Sequence, residues 1–148
     1  MRMKNIDNTI SLIATARAGA NAYIKRELKK HGLHELVPTH GNIIFALLTN
    51  DQMTMKDLAK VIRRDKSTVT TLVSKLESLG YVERLTWPDD NRVSLVRLTE
   101  KGQQLREPFA AISKGLTETG LRGFSLSEKE HLSKSLQKII RNFFSNGA

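Results

Sequence analysis

The fold is decided by residues 65–80, which read DKSTVTTLVSKLESLG. Apolar side chains recur along this stretch at the i, i+3, i+4, i+7 spacing of the buried side of a helix. Asp65 precedes the run in the position of an N-cap, and Gly80 follows it where a left-handed residue commonly ends a helix. The spacing therefore predicts an amphipathic helix over residues 66–79. Its apolar stripe consists of Val69, Leu72, Val73, Leu76 and Leu79.

The opposite side of this predicted helix carries short hydroxyl side chains. Ser and Thr are weaker helix formers than the long polar residues that usually face water, because their hydroxyls compete for nearby backbone groups. A surface that offers hydrogen bonds at close range would offset this weakness, and the major groove of DNA is such a surface. An ordinary solvated face is the alternative, and the helix alone leaves both open. The hydroxyl face consists of Ser67, Thr70, Thr71, Ser74 and Ser78, with Lys66, Thr68 and Lys75 at its margins.

The segment before this helix predicts a second, shorter helix. Residues 54–62 read TMKDLAKVI, in which Thr54 is a suitable N-cap and Asp57 a weak capping-box partner. Only Arg63 and Arg64 separate this helix from the cap of the next one. Two helices joined by so tight a turn, the second bearing the polar face, predict a helix-turn-helix.

The segment after the helix predicts a β-hairpin. Residues 81–87 and 92–98 are β-prone runs, and residues 88–91, PDDN, are turn formers. The hairpin tip is expected to hold Asn91 and Arg92, at a reach that suits the minor groove or its phosphates. A helix-turn-helix followed by a hairpin is a winged helix, so the flanks favour DNA as the partner of the hydroxyl face.

Four motifs at these separations together resemble the MarR family of bacterial transcriptional regulators. They are residues 65–70 (DKSTVT), 76–84 (LESLGYVER), 88–92 (PDDNR) and 98–102 (LTEKG). With a long helix before this region and two after it, the resemblance covers nearly the whole chain. It implies a homodimer, a repressor or other regulator, that binds pseudo-palindromic operators in double-stranded DNA. The absence of cysteine and of a membrane span leads us to expect a cytoplasmic location. It also implies release from the operator by a small, often aromatic or phenolic, ligand.

The wing motif departs from the family at two positions. By resemblance, Asp90 orients Arg92, which enters the minor groove. The family commonly carries an acidic residue where Trp87 stands and a second arginine where Asn91 stands. With Asn91 in place of a charge, we expect the wing to depend more on Arg92 and to contribute less than is usual.

The candidate DNA contacts divide by chemistry. Lys and Arg side chains are expected to bind phosphates, which supply most of the affinity and make it salt-dependent. Hydroxyls discriminate bases less sharply than bidentate Arg or Asn, so we expect DNA shape to contribute to specificity. Lys60 and Arg63 are additional phosphate candidates. The main set is Thr54, Lys56, Arg64, Lys66, Ser67, Thr68, Thr70, Thr71, Ser74, Lys75, Asp90, Asn91 and Arg92.

The remaining segments are predicted to be helical. Residues 7–30 have the pattern of a long amphipathic helix, and Thr39 is the expected cap of a second one. After the wing, Thr99 is expected to cap a helix that runs to about Leu121 and is kinked by Pro108.

The last helix has a strong start signal and an apolar stripe. Ser127 and Glu130 are expected to form its capping box, and Asn146-Gly147 its end. The stripe must be covered either by its own domain or by the N-terminal helix and a second subunit, and we favour the two-fold dimer. The candidate dimer contacts are Ile6, Ile10, Ile13, Leu132, Leu136, Ile139, Ile140, Phe143 and Phe144.

These patterns predict a mainly α fold with a small β-hairpin wing, in one chain with two roles. We assign residues 1–37 and 105–148 to a helical dimerisation region and residues 39–104 to a winged helix-turn-helix that binds DNA. The chain has 148 residues and a formal charge of +9, which favours a polyanionic partner. The excess of positive charge is spread along the chain, so it supports DNA binding but is not sufficient evidence for it.

Other function classes are disfavoured by what the sequence lacks. There is no cysteine, which excludes disulfides and thiolate chemistry, and no nucleophile-elbow or phosphate-loop motif, so we do not expect an enzyme. No stretch approaches the roughly 20 apolar residues of a membrane span. His31, His34 and His40 match no standard zinc spacing. We expect no metal and no cofactor, and leave a ligand-pocket role open. A winged helix that contacts only proteins remains the alternative function.

Overall fold

The computed structural model describes residues 7–145, without the side chain of Asn91. Seven helices and three strands lie in this range, and the hairpin wing is present as predicted. None of the helices in residues 7–145 combines the length and hydropathy that a membrane crossing needs. The helices are α1 (Thr9–Lys30), α2 (Pro38–Thr49), α3 (Met55–Ile62), α4 (Lys66–Ser78), α5 (Glu100–Gln103), α6 (Arg106–Gly120) and α7 (Leu126–Phe144), and the strands are β1 (Met53–Thr54), β2 (Val82–Trp87) and β3 (Asp90–Leu98).

The chain divides between Lys114 and Gly115 into two compact units, and the first contains the winged helix. Its core lies between α2, α3, α4 and the sheet, and the predicted stripe of α4 belongs to it. Val69, Val73 and Leu76 are fully buried, and Leu72 and Leu79 pack partly buried against the same core. Burial of an aliphatic side chain contributes about 1.5–3 kcal/mol. The polar side of α4 must therefore face outward, as the sequence predicts.

The sheet has three antiparallel strands in the order β1-β3-β2. The short strand β1 was not predicted, because two residues show no period; Met53 pairs with Val96. The hairpin turn is shorter than expected, since Trp87 pairs with Asp90 and leaves only residues 88–89 between the strands. The prediction that Asn91 and Arg92 form the tip is wrong, because both lie inside β3. An irregularity between Thr86 and Trp87 permits this closure.

The caps around the helix-turn-helix are those predicted. The Thr54 hydroxyl accepts a hydrogen bond from the Asp57 backbone N–H at 3.0 Å, and the Asp65 carboxylate accepts one from Thr68 at 2.7 Å. Gly80 has a φ of +82°, the left-handed value that glycine adopts without a steric penalty. Arg63 also adopts a left-handed conformation, which closes α3 and turns the chain into α4.

The starts of two outer helices differ from the predictions. Helix α2 begins at Pro38, whose fixed φ suits the first helical position, so Thr39 lies inside the helix and is not its cap. The capping box of α7 is formed by Ser125 and Glu128, two residues earlier than the predicted Ser127 and Glu130. Both pairs have capping-box spacing, and sequence alone did not separate them. The predicted end at residues 146–147 lies outside the described residues.

The predicted kinked helix after the wing is instead two helices. Helix α5 ends at Gln103 and α6 begins at Arg106. Pro108 is therefore in the first turn of α6, where its missing N–H would have no helical partner in any case. The chain breaks before the proline, and no kink is needed.

The segment after β3 holds the C-terminal end of α4. The Thr99 hydroxyl donates to the Gly80 carbonyl at 2.5 Å and accepts from the Gly102 N–H at 3.1 Å. The Lys101 ammonium donates to the Leu79 carbonyl at 2.6 Å, where a cation also suits the helix dipole. A Cβ at Gly102 would collide with the Tyr81 carbonyl oxygen. Thr99, Lys101 and Gly102 thus each have a structural role at this end of α4.

Helix α2 is capped by a buried histidine. The ring of His40 accepts the Val37 backbone N–H through Nδ1 at 3.0 Å, which places a ring proton on Nε2 in the neutral form. Burial, and to a smaller extent the charge of Lys75, lower the pKa of His40 below its ordinary value of 6.5. A protonated Nδ1 could not accept this bond, so the cap requires the neutral ring.

The second unit contains α7, which has no buried residue. Its predicted apolar stripe is present, but the described residues leave it largely uncovered. Leu132, Ile140, Phe143 and Phe144 are exposed, and Leu136 and Ile139 are half-buried. At the start of α1, in the first unit, Ile10 is exposed and Ile13 half-buried, while Ile6 lies outside the described residues.

Replacing Gly102 by Ala should destabilise the first unit by about 1–3 kcal/mol, because a methyl group must displace the Tyr81 backbone. Urea denaturation would measure the loss. Gly120→Ala is the matched control, since no atom lies within 4 Å of its Cβ position, and it should change stability by less than about 1 kcal/mol. Equal effects of the two substitutions would contradict this packing.

Replacing His40 by Gln should reduce the pH dependence of stability. The unfolded histidine takes up a proton near 6.5, whereas the folded ring does so only at a lower pH. The wild type should therefore lose stability as the pH falls from above 6.5 through the lowered pKa. Gln can accept the same N–H without titrating in this range. Thermal denaturation of both proteins across this pH range would test this. If their melting temperatures changed equally with pH, His40 would not have this role.

Candidate nucleic-acid interface

The outward side of α4 presents a row of hydroxyls to solvent. Ser67, Thr71 and Ser74 are exposed, while Thr68 and Thr70 are half-buried at the edge of the row. Lys66 at the N-terminal end and Lys75 in the last turn are exposed as well. Burial of the apolar stripe fixes this orientation, so the face expected to read DNA is available to a partner.

Most of these hydroxyls donate their proton to their own helix. Thr70 donates to the Lys66 carbonyl at 2.8 Å, and Thr71 donates to the Ser67 carbonyl at 3.1 Å. Ser67 itself donates to the Asp65 carboxylate at 3.0 Å. A hydroxyl whose proton is already donated offers only its lone pairs to a partner.

The wing arginine is held by the carboxylate that precedes it. Arg92 Nε lies 3.1 Å from Asp90 Oδ1 and Arg92 Nη2 lies 3.3 Å from Asp90 Oδ2. The Arg92 backbone N–H also donates to Asp90 Oδ1 at 3.0 Å. The hydrogen bonds from Arg92 lower the pKa of Asp90, so the pair is ionised at neutral pH. The Arg92 side chain is 90% exposed, which leaves its remaining N–H donors free for a partner.

A cleft of about 520 Å³ lies between the wing and the starts of α3 and α4. Three cationic side chains from three elements line it, and two hydroxyl residues accompany them. A concave surface of this charge attracts anions and focuses their approach. The lining residues are Thr54, Met55, Lys56, Ala59, Lys66, Arg92, Val93 and Ser94.

The predicted DNA contacts therefore occupy two neighbouring places. Thr54, Lys56, Lys66 and Arg92 meet at the cleft, whereas the hydroxyl row lies on the outer side of α4. The other predicted cations are exposed outside the cleft: Lys60 in the last turn of α3, Arg63 and Arg64 in the turn between α3 and α4, and Lys75 in the last turn of α4.

Two residues of this surface were missed by sequence reasoning. Ser94 lines the cleft beside Arg92, and the period-two alternation of β3 could have identified it. Arg84 on β2 reaches α4, where its Nη2 donates to Ser74 Oγ at 2.6 Å and its Nε lies 3.6 Å from Glu77 Oε1. No sequence signal pairs β2 with α4 across ten positions, so only the fold shows this contact.

The histidines do not converge on one site. Among residues 7–145, no three His, Cys, Asp or Glu side chains are grouped closely enough to hold a metal ion. The His31 ring donates through Nδ1 to the Glu27 carbonyl at 2.8 Å at the end of α1, and His34 is exposed. Both described ring contacts, those of His31 and His40, are with the backbone at helix ends.

Comparison with known proteins places this arrangement in a family. The MarR family model matches residues 36–94, which span the helix-turn-helix and most of the wing. The transcriptional regulator SarZ of Staphylococcus haemolyticus is 34% identical over 117 residues, covering 79% of this chain and 76% of that protein.

Solved structures share the fold at lower sequence identity. A MarR variant from E. coli complexed with operator DNA superposes with a TM-score of 0.80 at 22% identity, covering 92% of this chain and 99% of that one. BpsR of Bordetella bronchiseptica superposes with a TM-score of 0.82 at 19% identity, covering 94% and 97%. The predicted winged-helix fold is confirmed. The chain belongs to the MarR family, and it is a DNA-binding transcriptional regulator and not an enzyme.

Proposed function

We propose that this regulator binds pseudo-palindromic operators as a homodimer, acts as a repressor, and is released by a small ligand. The observation that supports the DNA-binding geometry best is the pairing of an exposed hydroxyl face on α4 with a cationic cleft beside it. A helix needs the width of the major groove, and the cleft suits the phosphates at the groove's edge.

In this proposal α4 lies in the major groove and Arg92 enters the adjacent minor groove. Asp90 holds the guanidinium through two of its nitrogens, so less side-chain freedom is lost on binding. Lys56 and Lys66 bind phosphates at the cleft, and Arg64 and Lys75 bind phosphates at the two ends of α4. This division assigns residues 39–104 to DNA binding.

The dimer is supported by exposed apolar side chains. Phe143 is 60% exposed and Ile140 41% exposed on α7, and Ile10 is 53% exposed at the start of α1. Large apolar residues concentrated on terminal helices typically mark a protein interface. A second copy that covers them would assign residues 1–37 and 105–148 to dimerisation. It would also set two copies of α4 about 34 Å apart, one helical turn of DNA.

The proposed effector is a small aromatic or phenolic compound. The support comes from the related fold of BpsR, whose DNA binding is described as regulated by 6-hydroxynicotinic acid. A ligand changes operator affinity only if it binds the DNA-competent state and the released state unequally. Titrating aromatic acids against the protein–operator complex tests this. No change in operator affinity with any of them would leave a constitutive regulator.

Selection of bound sequences from a random double-stranded DNA pool should yield one consensus with two-fold symmetry. Its half-sites should be centred about 10 base pairs apart, because each copy of α4 occupies one major groove on the same face of the duplex. A consensus without symmetry would contradict the dimer. If the bound DNA showed no sequence preference, and its binding depended little on salt concentration, the chain would instead be a winged helix that contacts only proteins.

Replacing Arg92 by Ala should weaken binding to the selected operator by roughly tenfold to a hundredfold, because charge-assisted hydrogen bonds to DNA are lost. The number of counterions released on binding, obtained from the salt dependence of the affinity, should also fall by about one. Arg97→Ala is the matched control: it removes the same charge from the same strand, but Arg97 is paired with Glu83 across the hairpin. Its loss should be much smaller. If fluorescence-anisotropy titrations gave the same loss of operator affinity for both variants, Arg92 would not be a DNA contact.

A further inference from the structure

The hydroxyls along α4 differ in the direction of their hydrogen bonds. Thr70 and Thr71 donate to carbonyls one turn earlier in the helix, and Ser78 donates to the Lys75 carbonyl at 2.7 Å. Ser74 is different, because its oxygen accepts a hydrogen bond from Arg84 Nη2 at 2.6 Å. A guanidinium nitrogen is only a donor, so this contact leaves the Ser74 proton for another acceptor.

The Ser74 proton has no acceptor within the described part of the chain, and the side chain is exposed on the outer face of α4. A hydroxyl that accepts from a charged donor is polarised, which strengthens its own donation. Ser74 is therefore oriented as a donor towards whatever lies against this face.

Arg84 is well placed to hold this orientation. It lies on β2 and is half-buried between the wing and α4. Its Nε is shielded from solvent without a hydrogen-bond partner among the described residues, at 3.6 Å from the Glu77 carboxylate. The side chain thus spans from the sheet to the hydroxyl face.

We propose that Arg84 is a positioning residue that fixes Ser74 as a hydrogen-bond donor to DNA. This assignment rests on the proposed function of α4. The acceptor would be a phosphate oxygen or a base acceptor in the major groove, such as N7 or O6 of guanine, N7 of adenine or O4 of thymine. Thr70 and Thr71, whose protons are donated within the helix, would instead accept from the amino groups of adenine or cytosine. The face then reads hydrogen-bond polarity, with acceptors in its middle and a donor towards its C-terminal end.

The test is a double-mutant cycle on the selected operator, using S74A, R84M and the double variant. Met keeps much of the aliphatic length of Arg84 and removes its donors. S74A should weaken binding about three- to tenfold, the usual effect of one lost hydrogen bond. R84M should do the same alone and add little in the S74A background, because it acts through Ser74. E77Q is the control, since it removes the charge beside Arg84 Nε and keeps the Nη2 donor to Ser74, so any change in its affinity should be the same with Ser or Ala at position 74.

The pattern of loss identifies the acceptor. If the acceptor is a base, changing that one base in each half-site should remove the difference in affinity between the wild type and S74A. A 7-deazapurine at that position should have the same effect if the acceptor is N7. A phosphate acceptor predicts an equal loss on all sequences, reproduced by one methylphosphonate in place of the contacted phosphate. Both results support the assignment of Ser74 as a donor.

Two results would overturn the assignment. Wild-type affinity of S74A would show that the proton is not used, and an equal R84M loss in both Ser74 backgrounds would show that Arg84 acts independently of Ser74. A wild-type protein that binds no DNA sequence would instead overturn the proposed function, and this assignment with it.

Discussion

The structure depends on the complete burial of one side of α4. Val69, Val73 and Leu76 have no exposed surface, and together their burial contributes roughly 4–9 kcal/mol, an appreciable part of the stability of a small domain. A helix anchored in this way cannot rotate without exposing these side chains. The hydroxyl face is therefore fixed outward, and its weak helix propensity is offset by the core below it.

The two ends of α4 are held by different devices. At the N-terminal end, the Asp65 carboxylate accepts from the Thr68 N–H and the Ser67 hydroxyl. At the C-terminal end, Thr99 and Lys101 donate to the carbonyls of Gly80 and Leu79, just after the helix, and Gly102 fits against Tyr81 because it has no side chain. These same residues lead into α6, whose Arg106 donates to the Leu48 carbonyl of α2. A displacement of the start of α6 would thus strain the contacts that position α4.

Much of this arrangement could be predicted because residues close together in the sequence determine it. The period of the α4 stripe, the caps at Thr54 and Asp65, and the glycine at position 80 each act within one helical turn. The predictions failed where two local solutions were equally suitable, as at Ser125 and Ser127. They also failed at the break between α5 and α6, where the preference of Pro108 for the first turn of a helix interrupts an otherwise continuous helical pattern. The contact between Arg84 and Ser74 depends on how β2 lies beside α4, which no local pattern encodes.

Affinity cleavage would show whether the hydroxyl face of α4 lies in the major groove. The chain has no cysteine, so T71C gives a single attachment point for an iron chelate on this face. With α4 in the groove, the chelate should cleave the selected operator in two clusters centred about 10 base pairs apart, one in each half-site. A duplex without the selected sequence is the control and should give no such pattern. Matching cleavage of the two duplexes, or no cleavage by T71C while the variant still binds the operator, would contradict this position of α4.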